Sequence, residues 1–152
     1  MSFVRTAIAY VELSRPINGL IAFVSVFLGA IFASGSFTFS TLIVAVSAFL
    51  VLSAGNAIND FCDYQIDVIN KPLRPIPSGC IQRQHALVFS LILLLMGLLL
   101  GVLTGSMYAI IIVFIVSITL FFYAIWLKKT PLIGNIVIGI LTGVTFVAGG
   151  VT

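Results

Sequence analysis

Three aspartates, Asp60, Asp63 and Asp67, lie in the nine residues N-D-F-C-D-Y-Q-I-D that start at Asn59, and the sequence has no other aspartate. On an α-helix turning about 100° per residue, Asn56, Asp60, Asp63 and Asp67 stand at roughly 0°, 40°, 340° and 20°, so the carboxylates form a one-sided ladder about 10 Å long. Like charges stacked on one face repel, and something cationic must occupy that face. Hard oxygen donors with no His or Cys among them suit magnesium, which keeps several waters and is bridged to substrate phosphates by one or two carboxylates. A basic, proline-rich segment follows, K-P-L-R-P-I-P-S-G-C-I-Q-R-Q-H from Lys71 to His85. Metal on the acidic side, with Lys71 and the two-pronged guanidinium of Arg74 on the other, makes a diphosphate site. In the plainer alternative the aspartates end a solvated helix and pair with Lys71, Arg74 and Arg83. That balances charge without explaining why all three continue the inward face of an apolar helix.

The elements that must position this ladder are membrane spans. The chain has 152 residues, of which 61% are hydrophobic and 7% charged. A soluble domain of this length carries roughly a quarter charged residues. Tracts 16–59, 86–127 and 130–152 contain no charge, and at about 20 apolar residues per crossing they hold two, two and one helices. The expected fold is therefore all-α: a polytopic transmembrane helix bundle with spans near 17–34, from about Thr41 onward, and near 86–103, 107–127 and 132–151, forming one membrane domain over 1–152. Residues 3–14, with Phe3, Ala7, Tyr10 and Val11 around Arg5 and Glu12, read as a short interfacial helix. The second span meets no Gly or Pro between Asn56 and Asn70, so one helix is expected to run on past the hydrocarbon until Lys71-Pro72 stops it. Residues 56–85 then comprise the aspartate-rich motif and a basic loop.

All seven basic residues fall on one side of this map, which the positive-inside rule assigns to the cytoplasm together with the N-terminus and the acidic motif. A net charge of +3 scattered in short clusters between spans fits topology, not nucleic-acid binding. Cys62 and Cys80 read as free thiols, and His85 as a loop residue.

The segment G-N-A-I-N-D-F-C-D-Y-Q-I-D-V-I-N-K-P-L-R-P-I-P-S-G from Gly55 resembles the first aspartate-rich motif and basic segment of the UbiA-type intramembrane prenyltransferase superfamily. R-P-I-N at Arg15 to Asn18, Tyr123 with Lys128, P-L-I-G-N-I from Pro131 and T-F-V-A-G-G from Thr145 are similar to further pieces of that family. Within it, the wording is most like the archaeal ether-lipid branch, and the chlorophyll-synthase branch shares much of the second phrase. The resemblance implies a magnesium-dependent membrane enzyme moving an isoprenoid, here geranylgeranyl, from its diphosphate to a lipid-like acceptor, geranylgeranylglyceryl phosphate. It implies Asp60, Asp63 and Asp67 as catalytic metal ligands. Substrate contacts would come from Asn56, Asn59, Lys71, Arg74, Asn18, Arg15, Tyr123 and Lys128. Arg15, Arg83 and Lys128 could also meet an anionic acceptor.

Members of that superfamily resemble nine-helix bundles with a second aspartate-rich motif. Here about five spans are expected and no acidic residue follows Asp67, so the sequence reads as the N-terminal part of such an enzyme, inactive by itself. Gly139, Gly143 and Gly149 would then mark a span-five face lacking its neighbours. The alternatives are an aromatic or chlorin prenyltransferase, a non-catalytic membrane fragment, or a transporter binding a translocated cation on the acidic stripe. The adjoining basic loop would repel such a cation and suits an anion.

Overall fold

The computed structural model describes residues 3–152, which form helices α1 (Phe3–Ser14), α2 (Pro16–Ser34), α3 (Phe39–Cys62), α4 (Tyr64–Asn70), α5 (Arg83–Leu103), α6 (Met107–Ile125) and α7 (Pro131–Gly150), with one 3₁₀ turn at Leu127–Lys129. Five of them, α2, α3, α5, α6 and α7, are long and apolar enough to cross a membrane, close to the expected boundaries.

Local chemistry sets the helix ends. Pro16 occupies the first turn of α2, where its missing N–H is no loss. Gly35 ends that helix in the left-handed region at φ 72°, a conformation open to a residue without Cβ. Thr38 and Thr41 form a reciprocal capping box at the start of α3, and the Ser106 hydroxyl accepts from the Ala109 N–H at the start of α6.

Lipid supplies no hydrophobic drive between helices, so close backbone approach through small residues does much of the packing. On α3 and α5, the Ser47 hydroxyl donates to Gly97 O at 2.7 Å, and a Cβ on Gly97 would stand 2.7 Å from the Val51 side chain. Between α2 and α7, a Cβ on Gly29 would stand 2.0 Å from Phe146 O, and one on Gly149 1.8 Å from Val26 O. Of the three span-five glycines expected to lack neighbours, Gly149 is therefore packed hard on α2, whereas Gly139 and Gly143 have nothing within 4 Å.

Two further expectations change. The helix through Asn56–Asn70 is not continuous: α3 ends at Cys62, Asp63 takes φ −83° and ψ 1°, and α4 starts at Tyr64. The Asp63 N–H still bonds Asn59 O and its carbonyl receives the Ile66 and Asp67 amides, so one residue serves as the end of one helix and the start of the next. In α1, Ala9 and Leu13 are buried with Ala57, Ile76, Ile81 and Ala86, and Tyr10 stacks on Phe89. Val4, Ala7, Ile8 and Val11 stay exposed, so the outward apolar face keeps Ala7 and Val11 of the expected grouping, while Tyr10 turns inward. Ile76 and Ile81 tuck the 71–82 loop under α1 and bring the basic segment back over the acidic one. At the opposite end, Thr41 and Thr152 hydroxyls meet at 2.8 Å, and Ser106 donates to Val151 O.

Candidate functional site

The ladder lies where α3 breaks, and each carboxylate has met a cation. Asp60, on the last turn of α3, and Asp67, on α4, are both 4% exposed, a burial that charged groups tolerate only when paired. Arg74 Nη1 lies 2.6 Å from Asp67 Oδ2 and 3.2 Å from Asp60 Oδ1. One nitrogen thus bridges two carboxylates seven residues apart. Arg15 Nη2 reaches the same Asp60 oxygen at 2.5 Å. Arg15 joins α1 to α2 and is the non-glycine residue with positive φ, 49°, among the described residues. That conformation costs an L-residue roughly 1–2 kcal/mol.

Asp63 is turned to a different cation. Lys128 Nζ lies 2.6 Å from Asp63 Oδ1, donates to Asn59 Oδ1 at 2.9 Å and reaches Asn59 O at 3.4 Å. The ammonium thus joins the 3₁₀ turn after α6 to the end of α3, where a positive charge also favours the helix dipole. Asn56 Nδ2 donates to Ser14 O at 3.2 Å, tying α3 to the α1–α2 junction.

Of the residues singled out in the sequence, Asp60, Asp63, Asp67, Asn59, Arg15, Arg74 and Lys128 form one connected polar cluster, with Asn56 beside it. Lys71 is exposed at the end of α4 and takes no part in these ion pairs. Asn18, one turn after Arg15, lines the apolar cleft described below. Tyr123 is half-buried, its ring against Gly134 of α7. The aspartates do not pair with Lys71 and Arg83; of the cations in the plainer alternative only Arg74 is used. Cys62 and Cys80 are free thiols, and His85 is exposed.

An apolar cleft runs between α2, α3, α6 and α7. Its walls include Ala22, Val44, Leu52, Ile112, Leu120 and Ala148, with Asn18, Thr142 and Thr145 as its polar lining. From Leu52 to Val44 on α3 and from Ile138 to Ala148 on α7, helical rise gives it a length of about 12–15 Å. Its cavity volume is about 90 Å³, below the roughly 300–1,000 Å³ of small-molecule sites, so it is a narrow apolar slot. The cleft was not legible as a site in the sequence, because Leu and Val on a span look the same whether they face lipid or a cavity. Thr142 and Thr145, polar and three apart in an apolar helix, were the available hint, although both hydroxyls bond carbonyls of their own helix.

Among the described residues no three His, Cys, Asp or Glu side chains converge as a metal-holding group. The donor set nevertheless fits magnesium as a partial ligand set: two buried carboxylates face one cationic atom between them, and magnesium takes one or two carboxylates with water and phosphate completing its shell.

Comparison with known proteins gives a consistent result. Residues 22–152 match the UbiA prenyltransferase family model. Digeranylgeranylglyceryl phosphate synthase of Methanothermobacter thermautotrophicus is 44% identical over 142 residues, 93% of this chain and 50% of the relative. The synthase of the same name from Thermococcus gammatolerans is 43% identical over 147 residues, 94% of this chain and 52% of the relative. A solved structure of digeranylgeranylglyceryl phosphate synthase superposes with a TM-score of 0.88 at 40% identity, covering 95% of this chain and 52% of that one. The apo structure of a UbiA homolog from Aeropyrum pernix K1 superposes with a TM-score of 0.76 at 20% identity, over 88% of this chain and 49% of that one, a likeness of fold. The chain spans about half the length of the curated relatives it matches.

Proposed function

The chain belongs to the UbiA prenyltransferase family, and from that membership we propose that it carries the first diphosphate-binding half-site of an enzyme of archaeal ether-lipid synthesis. The reaction is magnesium-dependent transfer of geranylgeranyl from its diphosphate to geranylgeranylglyceryl phosphate. The observation that carries this reading is the Asp60–Arg74–Asp67 bridge, buried at the polar end of a bundle that also holds an apolar cleft. The relatives' printed names supply the acceptor.

Charge arithmetic explains how the site accepts its ligand. Asp60, Asp63 and Asp67 are matched one for one by Arg15, Arg74 and Lys128. Either a metal alone or a diphosphate alone would strand buried charges of the other sign, at a cost of several kcal/mol each. Asp60 and Asp67 would hold the metal, Arg15 and Arg74 would turn to the phosphate oxygens, and Lys128, still held by Asp63 and Asn59, would offer its remaining N–H to them. Bound magnesium would supply Lewis-acid stabilisation of the charge that grows on the departing diphosphate. The arginines, with their two-pronged donors, orient the same group. Asn59 keeps Lys128 in place. The cleft takes the isoprenoid chain and keeps water from the allylic carbon as its bond to oxygen breaks. Lys71, exposed on the same end, is a cation left for the anionic head of the acceptor. All of these groups lie on the basic side of the bundle, which the positive-inside rule places in the cytoplasm.

Binding of an unreactive geranylgeranyl diphosphate analogue tests the proposal. Binding should require magnesium and disappear in Asp60→Ala and Asp67→Ala. Equal binding in chelator overturns it. With a catalytically competent preparation, preference for a hydroxybenzoate or chlorin acceptor over the glyceryl phosphate would move the assignment to another branch of the family.

A further inference from the structure

We propose that Arg83 is a positioning residue for the acidic site, clamping the break between α3 and α4 and so fixing Asp63 and Asp67 relative to Asp60; its importance for ligand binding rests on the diphosphate reading above. Arg83 is the first residue of α5. Its guanidinium carbon lies 4.4 Å from the centroid of the Phe61 ring and 5.5 Å from that of the Tyr64 ring. Its Nε donates to Phe61 O at 3.2 Å. Phe61 is two residues before Asp63, at the end of α3, and Tyr64 is the first residue of α4. One planar side chain therefore grips both sides of the break.

The bond to Phe61 O has a clear cause. The last carbonyls of a helix lose their intrahelical donors, and an interruption at Asp63 creates such carbonyls beside the acidic ladder. Asn59 O keeps its donor in the Asp63 N–H, whereas Phe61 O is served by Arg83. Arg83 makes no ion pair with a carboxylate among the described residues, so its charge goes to ring faces and a carbonyl. Lysine cannot reproduce that set, because it lacks both the flat guanidinium and the Nε donor. The same residue closes the 71–82 loop. That loop leaves α4 at Lys71, carries Arg74 to Asp60 and Asp67, buries Ile76 and Ile81, and ends where Arg83 is fastened to α3. Loosening Arg83 frees the angle of α4 and one end of the loop that bears the bridging arginine.

The test compares wild type, Arg83→Lys and Arg83→Met in lipid nanodiscs by two measurements. Without ligand, hydrogen exchange at the Ile66, Asp67 and Lys71 amides, which bond Asp63 O and Asp67 O, should quicken by about tenfold in both variants, while the middle of α5 is unchanged. With magnesium, affinity for the unreactive prenyl diphosphate analogue should fall by about tenfold in both. Wild-type behaviour of Arg83→Lys in both measurements would reduce Arg83 to a charge anchor and overturn the proposal. Unchanged exchange in α4 overturns it too, whatever the ligand does. If wild type binds no analogue while α4 exchange still responds to Arg83, the clamp stands and the diphosphate reading falls.

Discussion

Removing Arg74 should turn the site from one that needs metal and diphosphate together into one that takes metal alone. In Arg74→Ala, Asp60 keeps Arg15 at 2.5 Å, but Asp67 loses its ion-pair partner among the described residues while its side chain is only 5% exposed. Breaking a buried pair by deleting one partner costs about 3–5 kcal/mol. Arg74 itself is 23% exposed, and screening by water moves the expected loss to the lower end, about 3 kcal/mol. The vacated space lies between two carboxylates that had shared one nitrogen, which is where a divalent cation gains most. Magnesium at about one hundred times its dissociation constant should then restore about 2.7 kcal/mol to Arg74→Ala. In wild type without diphosphate the guanidinium must first be displaced, and the gain should stay below about 1 kcal/mol. Unfolding in bicelles by steric trapping, with and without magnesium, measures all four values. Adding Asp67→Asn to Arg74→Ala removes the orphaned charge, and should recover much of the stability and abolish the response to magnesium. Equal stabilisation of wild type and Arg74→Ala by magnesium would refute the argument, as would a loss of under about 1 kcal/mol on removing Arg74.

Two predictions concern the bundle. Gly149→Ala and Gly29→Ala each set a Cβ against a carbonyl oxygen of the partner helix, at 1.8 and 2.0 Å, and should cost about 1–3 kcal/mol by forcing α2 and α7 apart; Gly139→Ala and Gly143→Ala, which face open space, should be neutral or slightly stabilising in the same unfolding assay. In a background lacking Cys62 and Cys80, cysteines at Ser36 and Ser78 should react with a membrane-impermeant thiol reagent from opposite sides of the membrane, and labelling from the same side would contradict the five-span arrangement.

The spans were legible because their signal is one-dimensional: a tract without charge, twenty residues long, bounded by Pro16, Gly35 or the Lys128-Lys129 pair, reads the same in any context. The break at Asp63 was not, because no Gly or Pro marks it. It accompanies contacts far along the chain: Lys128 draws the Asp63 carboxylate aside, and α5 begins against Phe61 and Tyr64. Proximity in sequence likewise set Lys71 beside the ladder, where the structure leaves it exposed and outside the ion pairs, and did not show that Arg15 and Lys128 would pair with Asp60 and Asp63. Arg15 could equally have anchored topology. Its ion pair with Asp60 becomes visible only once α1 turns into α2 through a left-handed residue beside the end of α3. Gly149 shows the same limit, since a small residue announces close packing without naming the helix it meets.

The origin of the three cations bears on how the site can exist at all. Arg15 comes from the α1–α2 junction, Arg74 from the loop after α4, and Lys128 from the turn after α6, so no local stretch can neutralise the ladder. Until α2, α3 and α6 have assembled, Arg74 is the one of these three cations within reach, and two negative charges stay uncompensated on one surface, where water and counterions must hold them. Assembly and neutralisation are therefore one event, which binds the geometry of the site to that of the bundle. The finished site has little net charge to attract either a lone cation or a lone anion, yet it contains ready partners for both. On the function proposed above, selectivity would follow from exchange: a ligand would gain entry by offering a cation to Asp60 and Asp67 and an anion to Arg15, Arg74 and Lys128 in the same step. A metal–diphosphate pair attached to an apolar chain, as in that proposal, would meet both demands.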